Sequence, residues 1–381
     1  MKLILFLIFY SFCSVSIAQT KVLVGMASNF SELSTVSFNP YGGYFRNGVK
    51  LALDENQERL GRKGINVILK EFDYGADDLN VIKAVDAADK AGVSAVIGYN
   101  YSSNALIAAP LHVKKNLPML SPSASANRLG SFGKYIHLGS FSNEYMARVL
   151  ADFTLKTLKA KRVLIIPAGN CAYCIDLTNT FEENFKKIGG TVIAKIPILQ
   201  EDKEFSQLGA MIKGLEFDAV FIPNQELTAA RIILSLLEAG IKKPFLGADG
   251  WGNEGSEFFG VLKGKRFEGY SVTHWHPELK TKRSQAFVLA YKEKYKKLPN
   301  DSSVLAYDFM NFLIEAILKT PKHDRESLEN SLQSISLFEG VTGKYLIEAN
   351  KAPSKDILIL KTSKDSFVIS QVLPAMKGSR K

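Results

Sequence analysis

Ser94-Ala95-Val96-Ile97-Gly98-Tyr99-Asn100-Tyr101-Ser102-Ser103 is the stretch whose reading decides the fold. Its first half is a short apolar run ending in glycine, which reads as a buried strand. A polar loop follows, then helical spacing from Asn104 to Lys115. The pattern repeats at once. Leu117-Pro118-Met119-Leu120 is a second buried run, and Ser121-Pro122-Ser123-Ala124-Ser125 is a second serine loop. A strand–loop–helix–strand–loop series indicates parallel α/β structure. In open α/β sheets ligands gather outside the carboxyl ends of the strands, so both loops are expected to face one crevice. Hydroxyls, backbone N–H groups and a helix N-terminus suit a small anionic group such as a carboxylate. The loops bring no metal cluster, no nucleophile–base pair and no phosphate loop. The expected protein holds a molecule rather than transforming it, and neither enzymatic activity nor a cofactor is expected.

Outward from these loops, Val22-Leu23-Val24-Gly25-Met26 is a first strand, followed by a polar loop to Pro40 and a helix over 42–57. Strand 65–70 and helix 78–91, capped by Asp77 or Asp78, come next, and 135–138 closes this series. A second series then runs helix 143–158, strand 162–166, helix 177–188, strand 191–196, helix 204–215, strand 219–222, helix 228–239 and strand 244–247. Residues 287–318 are again helical, and their position suggests a return to the first lobe. Two such series without a low-complexity linker imply two sheet-centred lobes with a ligand cleft between them.

Residues 1–18 read as a secretory signal peptide. Met1-Lys2 is positive, Leu3 to Phe9 is a short apolar run, and Ser16-Ile17-Ala18 supplies the small residues for cleavage after Ala18. The run is too short for a spanning helix. Phe12 before Cys13 excludes a lipid-modified cysteine. The expected location is the periplasm. The length beyond the leader suggests about two domains. The net charge is +10, falling to +9 once Lys2 leaves with the leader, and 46% of residues are hydrophobic. Lys and Arg are spread along the chain in short solvated groups, which argues against nucleic-acid binding.

The chain resembles the type I, Venus-flytrap class of periplasmic binding proteins, nearest to the leucine/isoleucine/valine-binding branch of amino-acid ABC transporters. The resemblance rests on Tyr41-Gly42 with Gly48 to Asn56, Val96 to Gly98 with Ser102-Ser103, Pro118 to Ser125, and Phe245 to Gly250. Phe267-Glu268-Gly269, Tyr291 and Tyr295 before Leu298-Pro299, Ala306-Tyr307-Asp308 with Glu315 to Ile317, and Phe338 to Gly343 extend it. It implies two doubly wound parallel-sheet lobes joined by a three-strand hinge, with crossovers near Gly139-Ser140, Thr273-His274 and Leu346-Ile347. The implied lobes are 19–139 plus 274–346, and 140–273 plus 347–381. It implies that Ser102 and its helix hold a ligand carboxylate, flanked by Tyr101. Ser123 gives a backbone carbonyl and Ser125 a hydroxyl. Asp249 meets the ligand ammonium, Tyr173 closes over the ligand and Tyr41 lines the pocket. Read without the resemblance, Asp249 is equally a turn residue before Gly250. The family's partner is an ABC permease, and a monomer is expected. The long Ala27–Pro40 loop, Asp249 where leucine binders carry Glu, and Gln225 where an aromatic is common depart from the pattern. They keep amide, urea and aromatic-acid ligands open, as well as service as a sensory receptor module.

Cys171-Ala172-Tyr173-Cys174 has thioredoxin-like spacing between a strand and a helix. A thiol oxidoreductase is therefore a third reading, with a local structural disulfide favoured in an oxidising compartment. Such a bridge would stiffen the loop carrying Tyr173. Ser131-Phe132-Gly133-Lys134 lacks the companion motif of acyl-transfer enzymes. His274-Trp275-His276 has no third metal ligand nearby in sequence and reads as a hinge segment.

Overall fold

Thr20–Ser28 (β1) is buried along most of its length, as a central parallel strand covered on both faces must be. The computed structural model describes residues 19–31, 41–75, 77–252, 256–348 and 351–375, with Tyr41 and Ser256 described by backbone alone. The expected leader, most of the Ala27–Pro40 loop and the Tyr41 side chain lie outside the described residues.

From β1 the chain runs through α1 (Tyr41–Arg62), β2 (Ile65–Asp73), α2 (Asp78–Lys90), β3 (Ala95–Gly98), α3 (Ser102–Lys114), β4 (Met119–Ser121), a 3-10 turn (Asn127–Phe132) and β5 (Ile136–Leu138). These strands form one parallel sheet in the order β2-β1-β3-β4-β5. The second series is α4 (Asn143–Asp152), β6 (Arg162–Ile165), α5 (Ala172–Lys187), β7 (Thr191–Lys195), α6 (Leu208–Met211), β8 (Ala219–Phe221), α7 (Glu226–Glu238), β9 (Phe245–Gly247), α8 (Ser256–Leu262) and β10 (Gly269–Thr273). Its parallel part has the same order, β7-β6-β8-β9-β10. In each sheet the direction of winding reverses between the first and third strands. A doubly wound sheet opens a crevice at such a switch point.

The chain then forms α9 (Lys282–Tyr295), α10 (Asp301–Lys319), α11 (Arg325–Gln333) and a hairpin of β11 (Leu337–Gly340) and β12 (Gly343–Leu346). Finally β13 (Ile357–Ser363) and β14 (Ser366–Leu373) add two antiparallel strands to the β10 edge of the second sheet. Helix α10 returns to the first sheet: Phe309, Leu313 and Ile317 share a buried cluster with Phe45, Val49 and Ala52 of α1 and Val22 and Val24 of β1. Each such side chain contributes about 1.5–3 kcal/mol through burial. The two helices cross closely at Gly48, where a Cβ would stand 2.1 Å from the Ser303 carbonyl oxygen.

Several sequence expectations change in extent, among them the helix over 42–57, which runs on to Arg62, and helix 143–158, whose last turn after Asp152 is a π-turn. Helix 204–215 shrinks to α6, and Gly214 just beyond it turns the chain with φ +86. The run 287–318 is two helices. Lys296 closes α9 in the left-handed conformation, and Asn300 opens α10 with a capping box to Ser303. Helix 177–188 begins five residues earlier, at Ala172. Among the described residues no helix is long and apolar enough to cross a membrane.

Candidate ligand crevice

In the first sheet the crevice loops follow β1, β3 and β4. Gly98 ends β3 with φ +156, and a Cβ there would lie 1.9 Å from the Ala27 carbonyl oxygen of β1. Only glycine lets the two strands end this close together. Tyr99 follows with φ +55, turning the chain into α3. Tyr101 is the helix N-cap residue, half-buried, and its side chain does not cap. The first intrahelical bond runs from Ala105 N to Tyr101 O at 2.9 Å. The N–H groups of Ser102, Ser103 and Asn104 therefore precede the helical ladder and form an anion-seeking end.

Ser102 joins the two serine loops. Its Oγ accepts the N–H of Ser125 at 3.3 Å and of Ala126 at 3.2 Å, and its own proton remains to be donated. Ser121 donates to the Tyr99 carbonyl at 3.0 Å, and Ser123 donates to the Asn100 carbonyl at 2.9 Å. The Ser125 carbonyl accepts from Asn143 N at 2.8 Å, which leaves the Ser125 hydroxyl as its uncommitted group among the described residues. The start of the loop after β1 is pinned by Asp73, which accepts from Phe30 N at 3.0 Å and bonds the Ser31 hydroxyl.

In the second sheet the corresponding loops follow β6, β8 and β9. Cys171 and Cys174 form a disulfide in the first turn of α5, where Cys171 Sγ also accepts the Cys174 N–H. The pair thus belongs to the helix and not to a loop before it, and Tyr173 rides on that turn. The Tyr173 hydroxyl donates to Asp249 Oδ1 at 2.7 Å and accepts Gly250 N–H at 3.1 Å. Burial, with the Asp249 charge beside it, pushes this phenol well above its usual range. Asp249 opens a short 3-10 turn after β9, and its side chain keeps 13% of its surface exposed. Gln225 is the half-buried N-cap residue of α7, again without a side-chain cap.

His274, read from sequence only as hinge, reaches the same carboxylate. Its Nε2 lies 3.2 Å from Asp249 Oδ2 and 3.1 Å from Ser140 Oγ. Burial lowers its pKa to about 4, the Lys355 charge adding to the effect and the Asp249 bond opposing it. The ring is thus neutral at pH 7. A carboxylate can only accept, so the proton sits on Nε2. Asp249 then receives two neutral donors, and among the described residues no lysine or arginine lies within ion-pair distance of it.

Sequence reasoning also missed Asp301, the half-buried first residue of α10, whose Oδ2 accepts from Thr273 Oγ1 at 3.0 Å. Burial pushes its carboxyl well above the carboxylate range, Asp249 and Glu226 adding to the rise. An acidic residue just inside a helix start reads as a dipole partner, so no sequence signal marked it.

A family profile described as "Periplasmic binding protein" matches residues 24–366. The chain is 24% identical over 234 residues to a Leu/Ile/Val-binding protein of Citrobacter freundii, covering 61% of this chain and 63% of that protein. It therefore spans under two thirds of that relative's length. The match to the leucine-specific-binding protein of Salmonella typhimurium is 23% over 290 residues, 76% of this chain and 77% of that protein. Among solved structures, a leucine-binding protein of Thermotoga maritima superposes with a TM-score of 0.84 at 24% identity, covering 93% of this chain and 99% of that one. A solute-binding protein of R. palustris in complex with benzoate superposes with 0.81 at 20%, covering 94% and 98%. The two switch-point sheets, the profile across nearly the whole chain and these superpositions agree on one architecture: the chain belongs to the periplasmic binding protein family, in its two-lobed type I fold.

Proposed function

We propose that the protein is an exported receptor that captures a small amino acid between its lobes and delivers it to an ABC permease. The proposed lobes are 19–139 plus 274–346 and 140–273 plus 347–381, and the chain acts as a monomer after cleavage behind Ala18. The observation that carries this reading is the Asp249 carboxylate, which has two neutral donors and, among the described residues, no cation. The first lobe supplies the opposite pole, the open N-terminus of α3 with Ser102. A zwitterion answers both poles. Its carboxylate meets Ser102, Ser125 and the α3 N–H groups. Its ammonium meets Asp249 and the Ser123 carbonyl, and Tyr173, Tyr101, Tyr41 and Gln225 surround the remainder. Charge-assisted bonds in a closed crevice are stronger than neutral ones.

The relatives' names make leucine, isoleucine and valine the first ligands to test. An acid without an ammonium, such as the benzoate held by the R. palustris protein, would leave Asp249 uncompensated. The test is a thermal-shift screen of refolded, ligand-free protein against the common amino acids and small amides. A ligand at a hundred times its Kd adds about 2.7 kcal/mol of stability. A shift with an amino acid that Asp249→Ala abolishes is the expected result. Shifts with benzoates alone, retained in Asp249→Ala, would replace the amino-acid reading.

A further inference from the structure

Asn127 lies two residues beyond Ser125, and its backbone N–H and both side-chain polar atoms are committed to the other lobe. Its N–H donates to Asp176 Oδ2 at 2.9 Å. Its Nδ2 donates to Asp176 Oδ1 at 3.3 Å and to Thr180 Oγ1 at 3.2 Å. Its Oδ1 accepts the N–H of Glu144, in the first turn of α4, at 2.9 Å. Asp176 also accepts from Asn143 Nδ2 at 2.7 Å, and the backbone N–H of that fully buried asparagine holds the Ser125 carbonyl. The segment 125–127 is thus tied at both ends to the second lobe, with Asp176 as the common acceptor.

Asp176 lies on α5 one helical turn beyond Tyr173, so the two side chains share a face of that helix. Whatever seats Asp176 on the second serine loop also fixes where Tyr173 stands over the crevice, and through Tyr173 where Asp249 points. Three N–H donors from two segments converge on one carboxylate. An asparagine at 127 serves as donor and acceptor at once, which alanine and aspartate cannot do.

We propose that Asn127 and Asp176 are positioning residues that clasp the lobes shut and so set how fast bound ligand leaves. The inference rests on the two-lobed receptor reading but not on which ligand is bound. The bonds cross the crevice on its Ser125 side, so the lobes cannot separate there without breaking them. Affinity differences within one binding mode appear mostly in the dissociation rate.

The test uses spin labels on Leu79→Cys of α2 and Met211→Cys of α6, both exposed, at 63% and 58%. The chain used starts at Gln19 and so lacks Cys13, and Cys171 and Cys174 are paired and stay unlabelled. Pulsed dipolar distances are measured without ligand in this background and with Asn127→Ala or the isosteric Asp176→Asn added. The expected result is a longer, broader distance distribution in both variants. With leucine as the probe, dissociation should quicken about tenfold at unchanged association rate, since one lost charge-assisted bond is worth roughly that factor. Unchanged distances in both variants would overturn the clasp, even if melting temperatures fall. A protein that ignores leucine refutes only the ligand reading, because the distances decide the clasp without it.

Discussion

Replacing Lys355 with methionine tests the electrostatics of the proposed third passage between the lobes. Lys355 is fully buried in the connection between β12 and β13. Its ammonium donates to Thr342 Oγ1 at 2.6 Å and Tyr345 Oη at 3.3 Å, and it lies 4.4 Å from the Tyr345 ring centroid. Both hydroxyls in turn donate to Asp308 Oδ2, each at 2.9 Å, and that carboxylate also accepts Val341 N at 2.6 Å and Thr342 N at 2.9 Å. Burial lowers the Lys355 pKa from 10.5 to about 8, with Asp308 and Asp301 opposing the fall. At about 1.4 kcal/mol per pH unit, holding the ammonium charged in the folded state costs about 3 kcal/mol. Below pH 8 the folded and unfolded chains both carry the proton and the whole cost is present. Between pH 8 and 10.5 the unfolded chain holds the proton and the folded chain does not, so stability rises with pH. The methionine variant keeps the side-chain length and lacks this step. Urea unfolding of both proteins at pH 7, 8, 9 and 10 cancels every other titrating group in the difference. Wild-type stability relative to Lys355→Met should rise by about 2–3 kcal/mol from pH 7 to pH 10. A flat difference across that range would refute the reasoning.

Asp301→Asn should stabilise the protein at pH 7. The raised Asp301 pKa means that the folded state binds its proton more tightly than the unfolded one, so native stability is lost as pH rises through the ordinary carboxylate range. Melts at pH 7 and pH 3 check this, since the gain must vanish at pH 3, where both forms are protonated. Gly98→Ala should lose more than about 3 kcal/mol in urea unfolding, because the new Cβ meets backbone that cannot step aside. A loss below about 1 kcal/mol counts against the strand-end geometry. Reducing Cys171–Cys174 should lower stability by about 2 kcal/mol through the short loop it closes. It should also weaken ligand binding by freeing the turn that carries Tyr173. Affinity that survives reduction would separate the bridge from the site.

The two serine loops were legible because parallel strands buried on both faces leave short apolar runs, and the polar residues after them have no other place. The strands from β1 to β9 were readable from their apolar runs, whereas β10 was not read as a strand. The run 287–318 was read as helical without its break, which falls around Pro299, because apolar spacing continues on both sides of it. The antiparallel pair β13–β14 and the hairpin β11–β12 were not read, although Ile357 to Leu360 is an apolar run and Gly340 and Gly343 bracket a turn. The crevice was legible only where a loop follows a strand. The His274–Asp249 pair spans 25 residues, Asn127–Asp176 spans 49 and Thr273–Asp301 spans 28. Such pairings are created by packing two lobes together, and no local pattern announces them.

The repeated strand order explains why the proposed site needs both lobes. In the first sheet the residues proposed for ligand follow the first, third and fourth strands of the series, at Tyr41, Tyr101–Ser102 and Ser123–Ser125. In the second sheet they follow the same three strands, at Tyr173, Gln225 and Asp249. The two halves differ in chemistry. The first offers N–H and O–H donors at a helix start, which attract a carboxylate, while the second offers a carboxylate with no cation among the described residues, which attracts an ammonium. Either half alone binds one pole of a zwitterion in open water, where a single ionic contact at 4 Å is worth only about 1 kcal/mol. Closing the lobes joins the poles and removes water, and both contacts strengthen together. Binding and closure are then one event. The ligand shifts the lobes toward the closed form by the difference between its two-pole and one-pole affinities, and the Asn127–Asp176 clasp shifts them further in the same direction.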